Sequence, residues 1–407
     1  MNDVRLVTTQ ARLDELAREL SDTEAIAVDV EADGLFVYRA KLCMLQFAWK
    51  NGDSAEIAIV DPFTVDLTVL GPVLSGSGPL KVLHDLTFDA RMLAEAHIPL
   101  DHVRDTSVAA RFLGEQATGL QRMVQSRLGI ELTKTLQEHD WAKRPLLPAE
   151  LEYLAADVRH LLALDAILEG EVMDRGMADE VELECQYKLA TALRPPRDER
   201  PLHVRIKGYG DLDDVGRSVL RRLVETRERL AEAADVPPFR IVRNEVLIDL
   251  ARHRPTSELD LRRGFGRDRA VRNLVDWQHA VTLGLADEPE SKPVVVAPPP
   301  DFAERRAFER TLSHWRRRCA EERGVDPQVV VPGHCMNGLA LALFALGRNG
   351  IDPSQALNDV EGLGAFRILR YGAEWRNLGA SLALSSGEGA LASGEGAVSS
   401  GEGCSSH

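Results

Sequence analysis

The chain has 407 residues, of which 44% are apolar, and a formal net charge of −15 at pH 7. Its length suits two or three domains, and no apolar run approaches the roughly 20 residues that cross a bilayer, which excludes a membrane-spanning protein. The amino terminus lacks the basic-then-apolar layout of a signal peptide, and the five cysteines include no Cys-x-x-Cys pair, so we expect a protein of the reducing cytoplasm without zinc.

The first part of the chain, residues 1–193, alternates strand-like and helix-like patterns. A helix is predicted over residues 11–20, where leucines recur at helical spacing, and helical patterns dominate after Thr106. This order predicts an α/β domain with a mixed sheet and flanking helices. The strands are predicted over residues 4–7, 25–30, 42–48, 55–60 and 81–83.

Two acidic residues, Asp29 and Glu31, end an apolar run in the segment AIAVDVEADGL. Alternate residues of a strand share one face, so both carboxylates point the same way. Carboxylates held that close repel each other and lose hydration unless a cation lies between them. The pair therefore predicts a cation site, although an acidic strand end that leads into a turn at Asp33 and Gly34 would have the same sequence.

The segment KVLHDLTFDARML, residues 81–93, predicts a short strand followed by a helix. Asp89 lies one turn inside that helix, where a carboxylate has no capping role, and it is a candidate cation ligand. Asp85 is well placed to cap the helix, and we assign it that structural role. His84 could bind a metal, but a lone histidine at a strand end is more often a structural hydrogen-bonding group.

A third acidic segment, LPAELEYLAADVRHLLALDAIL, reads as a helix with an apolar stripe. Tyr153 and Asp157 are four residues apart, so they project from one face of this helix, one turn from each other. A carboxylate there can bind a metal while the phenol orients water. Taken alone the pair is weak, because Tyr-x-x-x-Asp occurs by chance in many helices.

Together these segments resemble the three exonuclease motifs of the DEDD superfamily, and specifically the ribonuclease D family. The likeness spans about residues 5–190 and is close in VDVEADGL, KVLHDLTFDARML and DWAKRPLLPAELEYLAADV. It implies a ribonuclease H-like fold. Relatives with a catalytic histidine place it five residues before the last aspartate, and position 152 is Glu, so the chain resembles the tyrosine subclass. The catalytic residues that the resemblance implies are Asp29, Glu31, Asp89, Tyr153 and Asp157.

These residues suit hydrolysis of phosphodiester bonds, in which two divalent ions about 3.5–4 Å apart stabilise both the attacking and the leaving oxygen. Oxygen ligands without His or Cys favour Mg²⁺ or Mn²⁺ over Zn²⁺. We expect Asp29 to bridge the two ions and Asp89 to serve the second. Glu31 and Asp157 would complete the site that holds the nucleophilic water. Tyr153 would orient that water, because a phenol with an ordinary pKa of about 10 is a poor base at neutral pH.

Leu35 and Phe36 directly follow the turn after the predicted metal-binding strand. They are expected to border the pocket, where they could contact the terminal base of a substrate. Ordinary core packing would explain the same two residues equally well.

The middle segment, residues 194–273, carries 19 Lys and Arg against 14 Asp and Glu in an otherwise acidic chain. This balance is typical of a phosphate-binding surface, and equally of a solvated helical surface. Residues 202–286 resemble an HRDC domain, a small helical bundle, on the strength of Arg227, Glu228, the prolines after Val236 and the Arg263-Gly264-Phe265 turn. The phosphate-contact candidates are Lys207, Arg240, Arg243, Arg262, Arg263, Arg267 and Arg269, of which Arg263 and Arg267 are taken as substrate-binding.

The remaining chain divides into three predicted pieces. Residues 287–301 are a stiff Pro-rich linker. Residues 302–380 partly repeat the first bundle and are predicted to form a second, degenerate HRDC-like domain. Residues 381–407 repeat Gly-Glu-Gly among Ser and Ala, and we predict that they are disordered.

The sequence therefore predicts an exonuclease domain over residues 1–193, followed by one or two helical bundles and a tail. The resemblance implies a Mg²⁺- or Mn²⁺-dependent 3′-to-5′ exoribonuclease that trims precursor tRNAs and other small structured RNAs, and we expect a monomer. Two alternatives stay open, a DNA 3′-exonuclease of repair and a non-catalytic RNA-binding scaffold. The complete acidic set argues against the scaffold, because lost activity usually shows first as a missing ligand.

Overall fold

The computed structural model describes residues 4–51, 54–132, 136, 138–195, 198–266, 272–293, 298–349 and 354–391. Their contacts group into two compact units. The first comprises described residues within 1–105, 120–165 and 189–296, and the second those within 106–119, 166–188 and 297–407.

Six strands form one mixed sheet: β1 Val4–Val7, β2 Ala25–Ala32, β3 Leu42–Asn51, β4 Ser54–Val60, β5 Leu80–Leu83 and β6 Val103–Asp105. Their order across the sheet is β1-β4-β3-β2-β5-β6. β3 runs antiparallel to β2 and β4, whereas β1 pairs parallel with β4, and β5 pairs parallel with β2 and β6. The predicted α/β class and its mixed sheet are confirmed.

The described part of residues 1–193 contains eight α-helices. One of them, over residues 148–159, begins with a proline that suits a first helical turn. The Glu150 carboxylate accepts the Leu147 N–H at 2.7 Å and so satisfies a donor at the start of this helix. The helices are α1 Gln10–Ser21, α2 Gly71–Leu74, α3 Thr87–Glu95, α4 Thr106–Phe112, α5 Leu120–Leu128, α6 Pro148–Arg159, α7 Leu161–Asp174 and α8 Ala178–Ala192.

The two faces of the sheet carry different side chains because successive residues of a strand alternate between faces. On one face Val28 and Val30 join a core to which α1 and α3 contribute. On the other face Met44 and Ile59 pack with Leu154 of α6. Asp29 and Glu31 alternate with the two valines, so β2 turns both carboxylates toward the face that α6 covers.

The helical region after the sheet has its own core, built around Leu220, Leu247 and Trp277. Two of its helices begin at side chains that accept backbone N–H groups, Asp213 from Gly216 at 2.8 Å and Ser257 from Asp260 at 3.2 Å. The helices of this region are α9 Asp214–Ala233, α10 Pro238–Ile241, α11 Asn244–His253, α12 Glu258–Phe265 and α13 Leu274–Ala286.

The carboxyl-terminal helices form another core, around Trp315, Leu343 and Trp375. Like the earlier helical region, they begin with a long helix followed by a short one that starts with proline. The second HRDC-like domain over residues 302–380 stays a prediction. The helices are α14 Phe302–Arg323, α15 Pro327–Val330, α16 Met336–Asn349, α17 Ser354–Asn358 and α18 Ala365–Leu391.

The last helix continues to Leu391, into the segment that we predicted to be disordered, and residues 392–407 lie outside the described residues. In the described part of the chain, Cys43, Cys185, Cys319 and Cys335 are buried and form no disulfide. No helix there combines the length and the apolar character needed to span a membrane.

Candidate active site

The carboxyl end of β2 places the first two acidic residues. Asp29 lies opposite Gln46 of β3 and Glu31 lies opposite Met44. The register shifts just after Glu31, between that residue and Ala32. Such a bulge bends a strand and re-aims its side chains, a common arrangement beside active sites.

Three carboxylates meet at this point, since oxygens of Asp29, Glu31 and Asp157 lie within 4.8 Å of one another. Asp157 comes from α6, so the site joins the sheet to the helix above it. All three residues are half-buried, which leaves their charges little water for screening. The sequence-predicted trio is therefore brought together, and in the described residues no histidine or cysteine joins it.

Asp89 stands beside this trio without belonging to it. It is 4% exposed, and its Oδ1 accepts the N–H of Val30, the residue between the two acidic residues of β2, at 3.0 Å. Asp89 is thus fixed against the same strand from α3, and it raises the pKa of both Asp29 and Glu31.

The capping role that we predicted for Asp85 is wrong. The residue at the capping position before the first turn of α3 is Leu86, which makes no side-chain cap. Instead the buried carboxylate of Asp105 accepts the N–H groups of Asp85 at 2.9 Å and Leu86 at 3.1 Å. Asp85 itself has a φ of 66°. The left-handed backbone of Asp85 and the two N–H groups bound by the Asp105 carboxylate together explain the turn into α3. No local cap is needed.

The acidic residues hold their protons more tightly than usual. Burial, followed by repulsion from Asp157 and Asp89, raises the pKa of Glu31 to about 8. Burial raises the pKa of Asp157 to about 7 and that of Asp89 to about 7. The pKa of Asp29 is raised well above its usual range by burial and then by its acidic neighbours. These shifts are the electrostatic signature of a site built for cations.

Tyr153 projects from α6 one turn before Asp157, as the spacing predicted. Burial, followed by the charges of Asp157 and Glu31, raises the pKa of its phenol far above the ordinary value. The ring of Trp141 lies 5.7 Å from that of Tyr153, and the His139 ring packs edge-on against Trp141 at 4.8 Å. Tyr153 is therefore a neutral phenol held by an aromatic neighbour.

Two neighbours of the site were missed by sequence reasoning. The indole of Trp141 is 1% exposed and partly offsets the raised pKa of Glu31. Gln46 is fully buried, and neither atom of its side-chain amide has a hydrogen-bond partner among the described residues. Gln46 shares a sheet face with Asp29, its direct cross-strand partner. The polar residue in the apolar run LCMLQFAW was the available signal.

Comparison with known proteins places these residues in a family. Residues 4–173 match a family model described as "3'-5' exonuclease", and residues 217–281 match one described as "HRDC domain". Ribonuclease D of Xanthomonas oryzae is 30% identical over 270 residues, 65% of this chain and 72% of that protein. The chain belongs to the ribonuclease D family.

Other ribonuclease D proteins match over a similar length. The enzyme of Haemophilus influenzae is 30% identical over 63% of this chain, and the chain spans 64% of that enzyme, slightly less than two thirds. The solved structure of Escherichia coli RNase D, titled "an exoribonuclease involved in structured RNA processing", has a TM-score of 0.67 at 22% identity. It covers 92% of this chain and 98% of that one, which establishes a shared fold.

Four residues of this ribonuclease D family member were predicted to contact substrate, and the structure describes three of them. Leu35 is 46% exposed, and Phe36 is half-buried with the Arg240 guanidinium 4.9 Å from its ring centre. Arg263 is exposed and 3.6 Å from Asp260 on the same helix. Arg267 lies outside the described residues. The placement of Leu35 and Phe36 beside the strand of the acidic pair agrees with a role at the pocket border, which stays a prediction.

Proposed function

We propose that the chain is a metal-dependent 3′-to-5′ exoribonuclease that hydrolyses phosphodiester bonds and releases nucleoside 5′-monophosphates. The observation that carries the proposal is the group of three half-buried carboxylates within 4.8 Å, inside the segment that matches an exonuclease model. Family membership and the HRDC match favour RNA as the substrate, with precursor tRNAs and other small structured RNAs as the expected class.

The residues present fit divalent cations. The donor set consists of carboxylate oxygens, which Mg²⁺ and Mn²⁺ prefer. The unpartnered amide of Gln46 next to Asp29 supports the same reading, because a buried amide usually has partners and a hydrated ion would supply them. We propose that Asp29, Glu31 and Asp157 hold one ion and that Asp89 helps to hold a second. Such ions, when bound, lower the pKa of a water and offset charge on the attacking and leaving oxygens.

The chain's own residues orient the attacking water and the metal-binding side chains, and they do not act as strong bases. The raised pKa of Tyr153 keeps its hydroxyl protonated, so it donates to or orients the attacking water and leaves the proton to other groups. Packing against Trp141 restricts the ring and thereby the hydroxyl. Asp89, bonded to the Val30 N–H, fixes the distance between α3 and the acidic strand.

A parallel digestion tests the proposal against its two rivals. The purified chain is incubated with single-stranded RNA and DNA of one sequence, in Mn²⁺, in Mg²⁺ and in EDTA. We expect metal-dependent shortening of the RNA. Preferential loss of the DNA would favour the repair exonuclease, and intact RNA that remains bound would favour the scaffold. The expected monomeric state and cellular location stay predictions from the sequence.

A further inference from the structure

The loop between β2 and β3, residues 33–41, begins two residues after Glu31, and we call it the wedge loop. Its first residue, Asp33, is 3% exposed and holds both ends of the loop. The Asp33 carboxylate accepts the Lys41 N–H at 2.7 Å, and its carbonyl accepts the Phe36 N–H at 2.7 Å. Phe36 is therefore fixed relative to the end of the acidic strand.

The helical region binds the wedge loop through Tyr38 and Arg39, and we call these contacts the grip. The N–H of Tyr38 donates to the Asp235 carboxylate at 3.2 Å, and the Tyr38 hydroxyl donates to Glu228 at 3.4 Å. Arg39 pairs with Glu232 at 3.0 Å. All three acidic partners lie on the last turns of α9 or directly after it. These contacts join two segments that are about 190 residues apart in sequence.

Arg240 completes this contact from α10. Its guanidinium lies over the Phe36 ring at 4.9 Å, the side chain is exposed, and no carboxylate pairs with it in the described part of the chain. A guanidinium can stack on an aromatic face and still donate to a phosphate, since its N–H groups lie in the plane of the group. Arg240 is thus a cation with unused hydrogen-bond donors, held against a ring of the loop that follows β2.

We propose that Arg240 and Phe36 together form the subsite for the last nucleotides at the 3′ end of the substrate. The HRDC region then supplies part of the catalytic domain's own binding site. The inference rests on the proposed function. Phe36 offers its ring to the terminal base, and Arg240 binds a nearby phosphate. The Tyr38 and Arg39 contacts hold the two residues together.

The first test uses the full chain and two matched variants, R240Q and R252Q. Each removes one positive charge from the same helical region, and Arg252 pairs with Asp249 on its own helix, 3.2 Å away. The dissociation constant of a six-nucleotide single-stranded RNA is measured by anisotropy in Ca²⁺ at several salt concentrations. R240Q should weaken binding roughly tenfold, as the loss of one charge-assisted contact does. It should also reduce the salt slope by about one, whereas R252Q changes neither.

Turnover separates this inference from the proposed function. If the unsubstituted chain cleaves RNA, R240Q should raise KM by about the same factor and leave kcat unchanged. A chain that binds RNA without cleaving it would contradict the proposed function while the binding comparison still decides the role of Arg240. Equal dissociation constants for R240Q and the unsubstituted chain, or no measurable binding by the latter, would overturn the inference.

The second test addresses the grip on the wedge loop. R39E places a carboxylate against Glu232 and should weaken binding of the same RNA roughly threefold or more, because like charges repel. Adding E232R restores an opposite pair and should recover most of the loss. Arg39 and Glu232 are exposed, so neither change should alter thermal stability appreciably. Unchanged binding by R39E would show that the grip does not position the subsite.

Discussion

Without a cation, the three clustered carboxylates repel one another. Their roles can be tested by substituting one residue at a time. D29N or D157N removes one ligand charge from the group. Each should reduce RNA hydrolysis by more than about 10³-fold, since metal ligation supplies several kcal/mol of transition-state stabilisation. Thermal stability without metal should rise in both, because repulsion is relieved. Near-normal turnover of either variant in Mn²⁺ would argue against the assignment.

Tyr153 is predicted to orient water through its hydroxyl. Y153F keeps the ring and its contact with Trp141 while removing that hydroxyl. Positioning and acid–base groups typically contribute about 10²–10⁴-fold, so we expect a loss of kcat in that range. RNA binding in Ca²⁺ and the melting temperature should not change. A loss below about threefold would instead make Tyr153 a packing residue.

The raised pKa values predict how stability depends on pH without metal. The folded pKa of Glu31 is about 8 and that of Asp157 about 7, both above the unfolded values. The folded state therefore binds protons more tightly, and its stability rises as pH falls from 8.5 toward 5.5. A gain of roughly 1 kcal/mol corresponds to about 2–4 °C in a domain of this size.

The same melts provide the control for this pH effect. Excess Mg²⁺ should raise the melting temperature most at high pH, where protons no longer compete for the carboxylates, and D29N should show a shallower pH dependence. A melting temperature that falls steadily from pH 8.5 to 5.5 in EDTA would contradict the predicted electrostatics.

At the scale of helices and strands, the features set by local sequence patterns could be predicted, whereas contacts between distant segments could not. Strand alternation was enough to place Asp29 and Glu31 on one face, and helical spacing was enough to align Tyr153 with Asp157. Asp85 was misassigned because the group that organises the start of α3 is Asp105, which is twenty residues later in the chain. No pattern within the segment could reveal an acceptor that reaches it from β6.

Asp105 gives a prediction at the same scale. D105A leaves the N–H groups of Asp85 and Leu86 without their acceptor inside the protein. The free energy of unfolding should fall by roughly 1.5–3 kcal/mol, as for lost hydrogen bonds to a charged group. Activity should fall as well, because α3 also carries Asp89. D66A, which removes a cap from an exposed turn, is the control and should cost only about 1 kcal/mol. Equal losses in urea unfolding would contradict this account.

For the whole molecule, net charge was a poor guide to substrate contacts. The basic segment contains many arginines, but several are held by nearby carboxylates, such as Arg222 with Asp287 at 2.7 Å and Arg262 with Glu258 at 2.7 Å. Composition counts charges and does not show which are already paired. The contact of Arg240 with Phe36 could not be predicted either, because it joins segments that only the fold brings together.

A fragment that ends at the boundary predicted near residue 193 tests what stabilises the second compact unit. In that unit the carboxylate of Glu180 is 1% exposed and pairs with Arg370 at 2.7 Å and Arg323 at 3.2 Å. A fragment of residues 1–193 loses both partners. Since removing the partners of a buried charge costs roughly 3–5 kcal/mol, amide exchange across α8 should accelerate about 10²–10⁴-fold relative to the full chain.

Two controls accompany the fragment. Exchange in α1, whose contacts lie within the first compact unit, should change far less than exchange in α8. The fragment should also bind structured RNA with a shallower salt dependence than the full chain, because it lacks the phosphate contacts that we predict after residue 194. Equal protection of α8 in fragment and full chain would mean that the carboxyl-terminal helices do not stabilise it.

The most direct measurement of the central claim follows a single-stranded RNA labelled at its 5′ end while the full chain digests it in Mn²⁺. The account predicts a ladder that shortens one nucleotide at a time from the 3′ end, with nucleoside 5′-monophosphates as the products. EDTA and D157N should each abolish the ladder. Internal cleavage, release of 3′-monophosphates, or an undiminished ladder with D157N would contradict the claim that these carboxylates support metal-dependent 3′-to-5′ hydrolysis.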